Sequence, residues 1–135
     1  MKKLLLITFI CFVTQSWNAQ TEIELISNTL MDYIEGSTDG QPDRLKTAFH
    51  QDLNLYYVRN DTVRTWSGVD YIADTKKGEP TGEFGKIISI DYENNAGMAK
   101  VEITDPKSAV TYVDYFMLLK VDKRWQIIHK MFTKK

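Results

Sequence analysis

The sequence YVDYFMLLKVDKRWQIIHKMF, at residues 112–132, consists of two apolar segments separated by Asp122 and Lys123. Segments rich in aromatic and β-branched residues are typical of strands, and two polar residues between such segments predict a β-hairpin. With a two-residue turn, Val121 pairs with Arg124, and the pairing of all the following residues is set by this starting point.

The two faces of this hairpin differ in composition. Because side chains alternate along a strand, one face is expected to carry Asp114, Phe116, Leu118, Trp125, Ile127, His129 and Met131. The other face is expected to carry Val113, Tyr115, Met117, Leu119, Gln126, Ile128, Lys130 and Phe132. The first face is apolar apart from one carboxyl and one imidazole group, which is typical of an enclosed pocket. The second face mixes apolar and polar residues and suits a subunit contact.

Asp114 and His129 are predicted to be diagonal neighbours across this hairpin, close enough for their side chains to interact. A carboxylate removed from water is costly unless a partner stabilises it, and a protonated imidazole is such a partner. As a catalytic pair, the two residues could exchange a proton with a bound small molecule. The alternative is structural: the aspartate bonds a backbone or tyrosine partner, and the histidine is a satisfied core residue.

Residues 1–19 have the composition of a secretory signal peptide. Lys2 and Lys3 precede an apolar run from Leu4 to Val13, and a polar stretch follows. This run is too short to cross a bilayer, which requires about 20 residues. We therefore expect a secreted or periplasmic protein whose mature part, residues 20–135, is a single domain. The only cysteine, Cys11, lies within the predicted signal, so the mature domain is expected to be held together by its core without disulfides.

The mature chain is predicted to contain helices first and strands later. A first helix begins at Thr21, which forms a capping-box pattern with Glu24, and it ends near Gly36. A second, short helix begins at Pro42, and a third follows a hairpin with Ser67 as its N-cap. Two long hairpins complete the chain. This order predicts the α+β class, with N-terminal helices packed on one face of an antiparallel sheet.

The element order and two segments, FHQDLN at residues 49–54 and DYFMLLKVDKRWQIIHKMF at 114–132, resemble the NTF2-like superfamily. That superfamily includes nuclear transport factor 2, ketosteroid isomerase and SnoaL-like polyketide cyclases. The chain is most similar to its small secreted bacterial members labelled putative lumazine-binding. The resemblance implies a cone, in which a strongly curved antiparallel sheet wraps against helices and leaves a pocket at the wide end. Other members use an acid in this cavity as a base or hydrogen-bond donor, and Asp114 occupies a similar strand position.

The resemblance also implies a homodimer formed through the outer sheet face. On the second face of the hairpin, this contact would involve Tyr115, Met117, Ile128 and Phe132.

Several other residues are candidates for a site. Tyrosine and tryptophan combine an apolar ring with a polar tip, which suits the wall of a pocket for a flat ligand. We predict ligand-binding roles for Trp66, Tyr71, Phe116 and Trp125, while core packing is the more common role for each such residue taken alone. His50 follows the second helix and is expected to cap its C-terminus, where a cation interacts favourably with the helix dipole.

Composition and motifs narrow the function. The net charge is −1 and no basic stripe is present, which argues against a nucleic-acid partner. We expect no metal site, because the two histidines have no third ligand at metal-binding spacing, and no cofactor, because phosphate-binding loops and nucleophile motifs are absent. Three hypotheses remain: a binding protein for a small, partly apolar molecule; an isomerase, dehydratase or cyclase; and an interaction subunit with a vestigial cavity. Fold alone cannot choose among them.

Overall fold

A computed structural model describes residues 20–135, so the predicted signal peptide lies outside the described part of the chain. In chain order, the elements are α1 (Glu22–Thr38), α2 (Pro42–Ala48), β1 (Phe49–Arg59), β2 (Thr62–Ser67), α3 (Gly68–Asp74), β3 (Phe84–Glu93), β4 (Ala96–Asp105), β5 (Val110–Val121) and β6 (Arg124–Lys134). The predicted α+β class is confirmed. Within the described range, no helix combines the length and apolar character needed to cross a membrane.

Helix α1 begins as predicted but ends later. The Thr21 side chain accepts a hydrogen bond from the Glu24 backbone N–H, and the Glu24 side chain accepts one from the Thr21 backbone N–H. The helix continues past Gly36 to Thr38. Gly36 is buried, and a Cβ added there would lie 2.9 Å from Cγ of Leu45. The glycine therefore allows α2 to approach α1 closely, and it does not terminate the helix.

The six strands form one curved, mixed sheet in the order β2-β1-β6-β5-β4-β3. Four of the neighbouring pairs are antiparallel, and three of these are the predicted hairpins β1–β2, β3–β4 and β5–β6. The pair β1–β6 is parallel, which the hairpin patterns did not indicate. This contact joins the β1–β2 hairpin to the four C-terminal strands, and β2 and β3 form the two edges of the sheet.

The closing hairpin contains a β-bulge that changes its faces. Val121 pairs with Arg124 as predicted, but the register shifts between Leu118, which pairs with Ile127, and Met117, which pairs with His129. Ile128 is therefore the extra residue. An extra residue shifts the side-chain alternation of one strand by one position. Beyond the bulge, the even-numbered residues of β6 face the helices and the odd-numbered residues face outward.

The core lies between α1 and the inner face of the sheet. Ile26, Leu30 and Tyr33, which recur at helical spacing along α1, are almost completely buried. They pack against strand residues that include Leu55, Val101, Phe116, Leu118 and Ile127. The core is continuous near the N-terminus of α1, and it opens into a cavity near the C-terminus of this helix.

Candidate functional site

A cavity of about 1000 Å³ lies at the end of the core near the C-terminus of α1. It opens between the inner face of the sheet, α1, α3 and the loop that follows α3. Aromatic side chains form much of its wall, namely Tyr57, Trp66, Tyr71, Tyr112 and Phe132. Three buried polar residues, Tyr33, Asp114 and Lys130, also line it, and exposed charged side chains that include Arg59, Asp74 and Lys134 surround its mouth. A large hollow with apolar walls and a few converging polar groups is the usual form of a ligand site.

The three polar residues form one cluster, which we call the Tyr–Asp–Lys cluster. Tyr33 donates its hydroxyl proton to Oδ2 of Asp114 at 2.6 Å, and Lys130 Nζ donates to the Tyr33 hydroxyl oxygen at 2.5 Å. Lys130 Nζ also lies 3.2 Å from Oδ1 of Asp114. Each residue therefore contacts both of the others, although they come from α1, β5 and β6.

The cluster is almost completely buried. Tyr33 and Asp114 are each 1% exposed, and Lys130 is 4% exposed. Lys130 Nζ lies within about 6 Å of four aromatic ring centres, and its distances to those of Tyr33 and Tyr71 are 4.6 and 5.3 Å. A cation over aromatic faces is stabilised by the ring quadrupoles. Even so, burying an ion pair is costly, so this arrangement is weak evidence for stability and a better indication of a functional site.

Tyr33 is held in its protonated form. Burial raises the pKa of its phenol well above the ordinary value, and the negative charge of the adjacent Asp114 raises this pKa further. The neutral hydroxyl can accept a hydrogen bond from Lys130 while it donates to Asp114. It is therefore placed to relay a proton between the two charged groups.

Asp114 has one oxygen without a hydrogen bond. Among the buried side-chain nitrogen and oxygen atoms of the described residues, Oδ1 of Asp114 is the one that lacks a hydrogen-bond partner. Its 3.2 Å approach to Lys130 Nζ is an ion-pair contact, and its geometry is too poor for a hydrogen bond. Buried carboxylate oxygens are normally satisfied. A bound molecule with an N–H or O–H group could supply the missing donor.

The predicted Asp114–His129 pair is wrong. Asp114 faces the cavity, but the bulge at Ile128 places His129 on the outer face, where its ring stacks on Tyr56 at 4.6 Å between centres. The same bulge moves Lys130 from the predicted outer face to the cavity. Lys130 thus takes the place beside Asp114 that alternation alone assigns to His129.

The four predicted ligand-binding aromatics divide into two pairs. Trp66 and Tyr71 line the cavity and contact each other edge to face, with ring centres 5.0 Å apart. Phe116 is buried in the core, where its ring meets Tyr33 edge to face. Trp125 is also buried, and its indole N–H donates to Glu22 at the start of α1, at the opposite end of that helix from the cavity.

The predicted subunit-contact residues also divide. Tyr115 and Met117 are exposed on the outer face, at 44% and 49%. Ile128 is half-buried at the bulge. The predicted outward position of Phe132 is wrong, because Phe132 lines the cavity and stacks on Tyr57.

His50 does not cap α2 as predicted. It lies in β1, one residue beyond the C-cap residue Phe49, and its Nδ1 accepts a hydrogen bond from the Asp52 backbone N–H at 3.2 Å. In residues 20–135, no group of three or more histidine, cysteine or acidic side chains is arranged to hold a metal ion.

The sequence patterns did not identify Tyr33 and Lys130 as residues of the site. Tyr33 continues the apolar stripe of α1, and a buried tyrosine hydroxyl normally requires a partner. That signal, with Asp114 in an apolar strand, could have suggested a tyrosine–aspartate contact. Lys130 could not have been identified by alternation, because the bulge reverses its side.

Comparisons with known proteins agree with this architecture. Residues 21–133 match the model of the family described as "Putative lumazine-binding". The chain is 24% identical over 115 residues to "Aldolase FrzH" from a Cladobotryum species. The aligned region covers 83% of this chain and 90% of that protein.

Solved structures of NTF2-like proteins share the fold. The protein from Shewanella baltica OS155 superposes with a TM-score of 0.71 at 23% identity, covering 87% of this chain and 98% of the other. The protein from Silicibacter pomeroyi DSS-3 gives a TM-score of 0.72 at 20% identity, with coverages of 84% and 95%. The match over residues 21–133 shows that the chain belongs to the putative lumazine-binding family of small-molecule-binding proteins, and the solved structures show that it has the NTF2-like fold.

Proposed function

We propose that this protein binds a small, flat, partly apolar molecule in the cavity, with a hydrogen-bond donor of that molecule on Asp114. The observation that carries the proposal is the unbonded Oδ1 of Asp114, buried in the wall of an aromatic-lined hollow. Asp114 is already ion-paired with Lys130 and hydrogen-bonded to Tyr33, but its Oδ1 has unused acceptor capacity. A hydrogen bond from a ligand to this charged group would contribute about 1.5–3 kcal/mol, so Asp114 supplies both affinity and orientation.

The walls favour a flat ligand. Trp66 and Tyr71 on one side and Tyr57 and Phe132 on another present aromatic surface to the same space. Rings of this kind gain from stacked and edge-to-face contacts beyond the area they bury. The cavity lies at the upper end of the range of about 300–1,000 Å³ that is typical of drug-sized ligands, so a molecule of two or three rings fits.

A thermal-shift screen of the mature protein tests this proposal. The library should contain bicyclic heteroaromatic and phenolic compounds, with lumazine as one member, and hits should be titrated by calorimetry. Loss of the Asp114 contact in Asp114→Asn should weaken binding of the best hit by roughly 10–100-fold. Tyr71→Ala should also weaken it, whereas Tyr115→Ala on the outer face should not. The proposal fails if no compound raises the melting temperature, or if hits bind both cavity variants as well as wild type.

A second candidate is an enzyme that moves a proton on the bound molecule. The Tyr–Asp–Lys cluster is continuous through hydrogen bonds and faces the cavity, which is what general acid–base catalysis requires. One relative is named an aldolase, and aldol chemistry involves proton transfer beside a carbonyl group. Conversion of a bound hit that is abolished in Asp114→Asn, while some binding remains, would favour the enzyme. Binding without conversion would favour the first candidate.

We also propose that residues 1–19 direct the chain to a secreted or periplasmic location. Support comes from the lysines at its start and the apolar run that follows. Expression of the full chain in a Gram-negative bacterium, followed by fractionation and intact-mass measurement, tests this. A periplasmic product beginning near residue 20 is expected. An uncleaved cytoplasmic product would contradict it.

A further inference from the structure

We propose that Lys130 Nζ is a nucleophile that captures the carbonyl group of an aldehyde or ketone as a Schiff base. The inference rests on the proposed function, because it concerns the same cavity and names the class of molecule that the cavity takes. Schiff-base lysines in enzymes are typically buried, because desolvation favours the neutral, nucleophilic amine. Lys130 is 4% exposed and lines the cavity, so it lies in the wall of the space that a ligand would occupy.

The position of Lys130 is built by three elements. The bulge in β6 turns its side chain inward, β5 supplies Asp114 at 3.2 Å from Nζ, and α1 supplies the Tyr33 hydroxyl at 2.5 Å. Rings of Tyr71 and Phe132 lie 5.3 and 5.2 Å from Nζ. The amine is thus held at one point and surrounded by surfaces that would contact the body of a bound carbonyl compound.

Lys134 provides an internal comparison. It lies four residues further along β6, also lines the cavity and is exposed at its mouth. Its Nζ lies 5.2 Å from the ring centre of Tyr112, but among the described residues it makes no ion pair with a carboxylate. Because Lys134 is the more accessible of the two, preferential reaction at Lys130 would have to come from the Tyr–Asp–Lys cluster and not from exposure.

The cluster can carry the protons of the reaction. Oδ1 of Asp114 accepts a proton from the Lys130 ammonium, and the freed amine attacks the carbonyl carbon to form a C–N bond. The carbonyl π electrons pass to its oxygen, which takes the proton back from Asp114, directly or through the Tyr33 hydroxyl. A second proton passes from nitrogen to Asp114 and then to the hydroxyl group, which leaves as water. The product is an iminium ion beside the Asp114 carboxylate, so the charge of the original pair is retained and no oxidant is needed.

Borohydride trapping with benzaldehyde tests the inference. The mature protein is incubated with benzaldehyde at neutral pH, sodium borohydride is added, and the products are analysed by intact mass and peptide mapping. We expect one benzyl group on Lys130 at aldehyde concentrations that leave Lys134 unmodified. Lys130→Arg, which retains the positive charge beside Asp114, should lose this modification, and Lys134→Arg should keep it. Asp114→Asn should slow labelling of Lys130 by roughly 100-fold, a typical contribution of acid–base catalysis.

Several outcomes would overturn the inference. Peptide mapping of the wild-type protein could show that Lys130 stays unmodified while exposed lysines react, a result that does not depend on any variant folding. Equal labelling rates for Lys130 and Lys134 would also overturn it. If thermal-shift hits bind wild type and Lys130→Arg alike while trapping fails, the cavity binds ligands but Lys130 is not the nucleophile. If nothing binds and nothing is trapped, the proposed function itself fails.

Discussion

At the scale of single residues, the Tyr–Asp–Lys cluster is the unusual feature of the domain. Removing one member of a buried ion pair typically costs 3–5 kcal/mol, because it leaves the other charge without a partner, whereas an apolar replacement of the whole pair is often neutral. Stability therefore does not explain why Asp114 and Lys130 are present. Tyr33 makes the arrangement possible, since its hydroxyl contacts both charges and remains neutral.

The raised pKa of Tyr33 predicts a loss of stability at high pH. Below about pH 10 the phenol is neutral in both the folded and unfolded chains, and its contribution is fully present. Above that pH the unfolded chain releases the proton while the folded protein retains it, so the free energy of unfolding falls until the folded-state pKa is passed. Urea unfolding of wild type and Tyr33→Phe at pH 8 and pH 11 should show that the difference between them narrows. An exposed control, Tyr115→Phe, should follow wild type, and a constant difference for Tyr33→Phe would contradict the prediction.

At the scale of elements, the β5–β6 hairpin is defined by its turn and its bulge. The turn residues Asp122 and Lys123 both have positive φ, at 48° and 64°, as a tight turn matched to the twist of the strands requires. The bulge at Ile128 then sets which side chains of β6 face the helices. The turn fixes where the pairing starts, and the bulge fixes which residues reach the cavity.

Replacing Lys123 with glycine should stabilise the protein. A left-handed conformation costs a residue with a Cβ about 1–2 kcal/mol, and glycine avoids this cost but loses roughly 0.5–1 kcal/mol of unfolded-state entropy. The net gain in the free energy of unfolding is expected to be about 0.5–1 kcal/mol, measured by urea denaturation. Lys123→Ala retains the Cβ and should show no gain. A destabilised Lys123→Gly would mean that the lysine side chain contributes more than its backbone conformation costs.

At the scale of the whole molecule, the outer face of the sheet is unusually apolar for an exposed surface. Met98, Tyr115, Met117 and Met131 are between 44% and 56% exposed on neighbouring strands. Exposed apolar surface of this kind often marks a site of association. We therefore propose that this face forms a homodimer contact, with Tyr115 and Met117 at its centre.

A charge on this face should separate the subunits. Tyr115→Glu would place a carboxylate in an apolar contact, where desolvation is costly, so we expect a monomer by size-exclusion chromatography with light scattering. Val69→Glu, at an exposed position on α3, should remain dimeric. A monomeric wild-type protein, or a dimeric Tyr115→Glu, would contradict the proposed interface.

The amino-acid sequence by itself determined the local features of this protein. The capping box at Thr21, the turn at Asp122 and Lys123 and the α+β class follow from residues near one another in the chain, and local rules are sufficient for them. Asp114 in an apolar strand could also be recognised as a candidate for the cavity. Its wall could be predicted only in part: Trp66 and Tyr71 reach it, and Phe116 and Trp125 do not.

Only the tertiary structure decided the partners of Asp114. Tyr33 lies 81 residues from Asp114 and 97 from Lys130 along the chain, and no local pattern connects residues at such separations. The bulge depends on how β6 fits between β1 and β5, so it is a property of three paired strands. One extra residue reverses the faces of everything beyond it, and for that physical reason Lys130, and not His129, shares the cavity with Asp114.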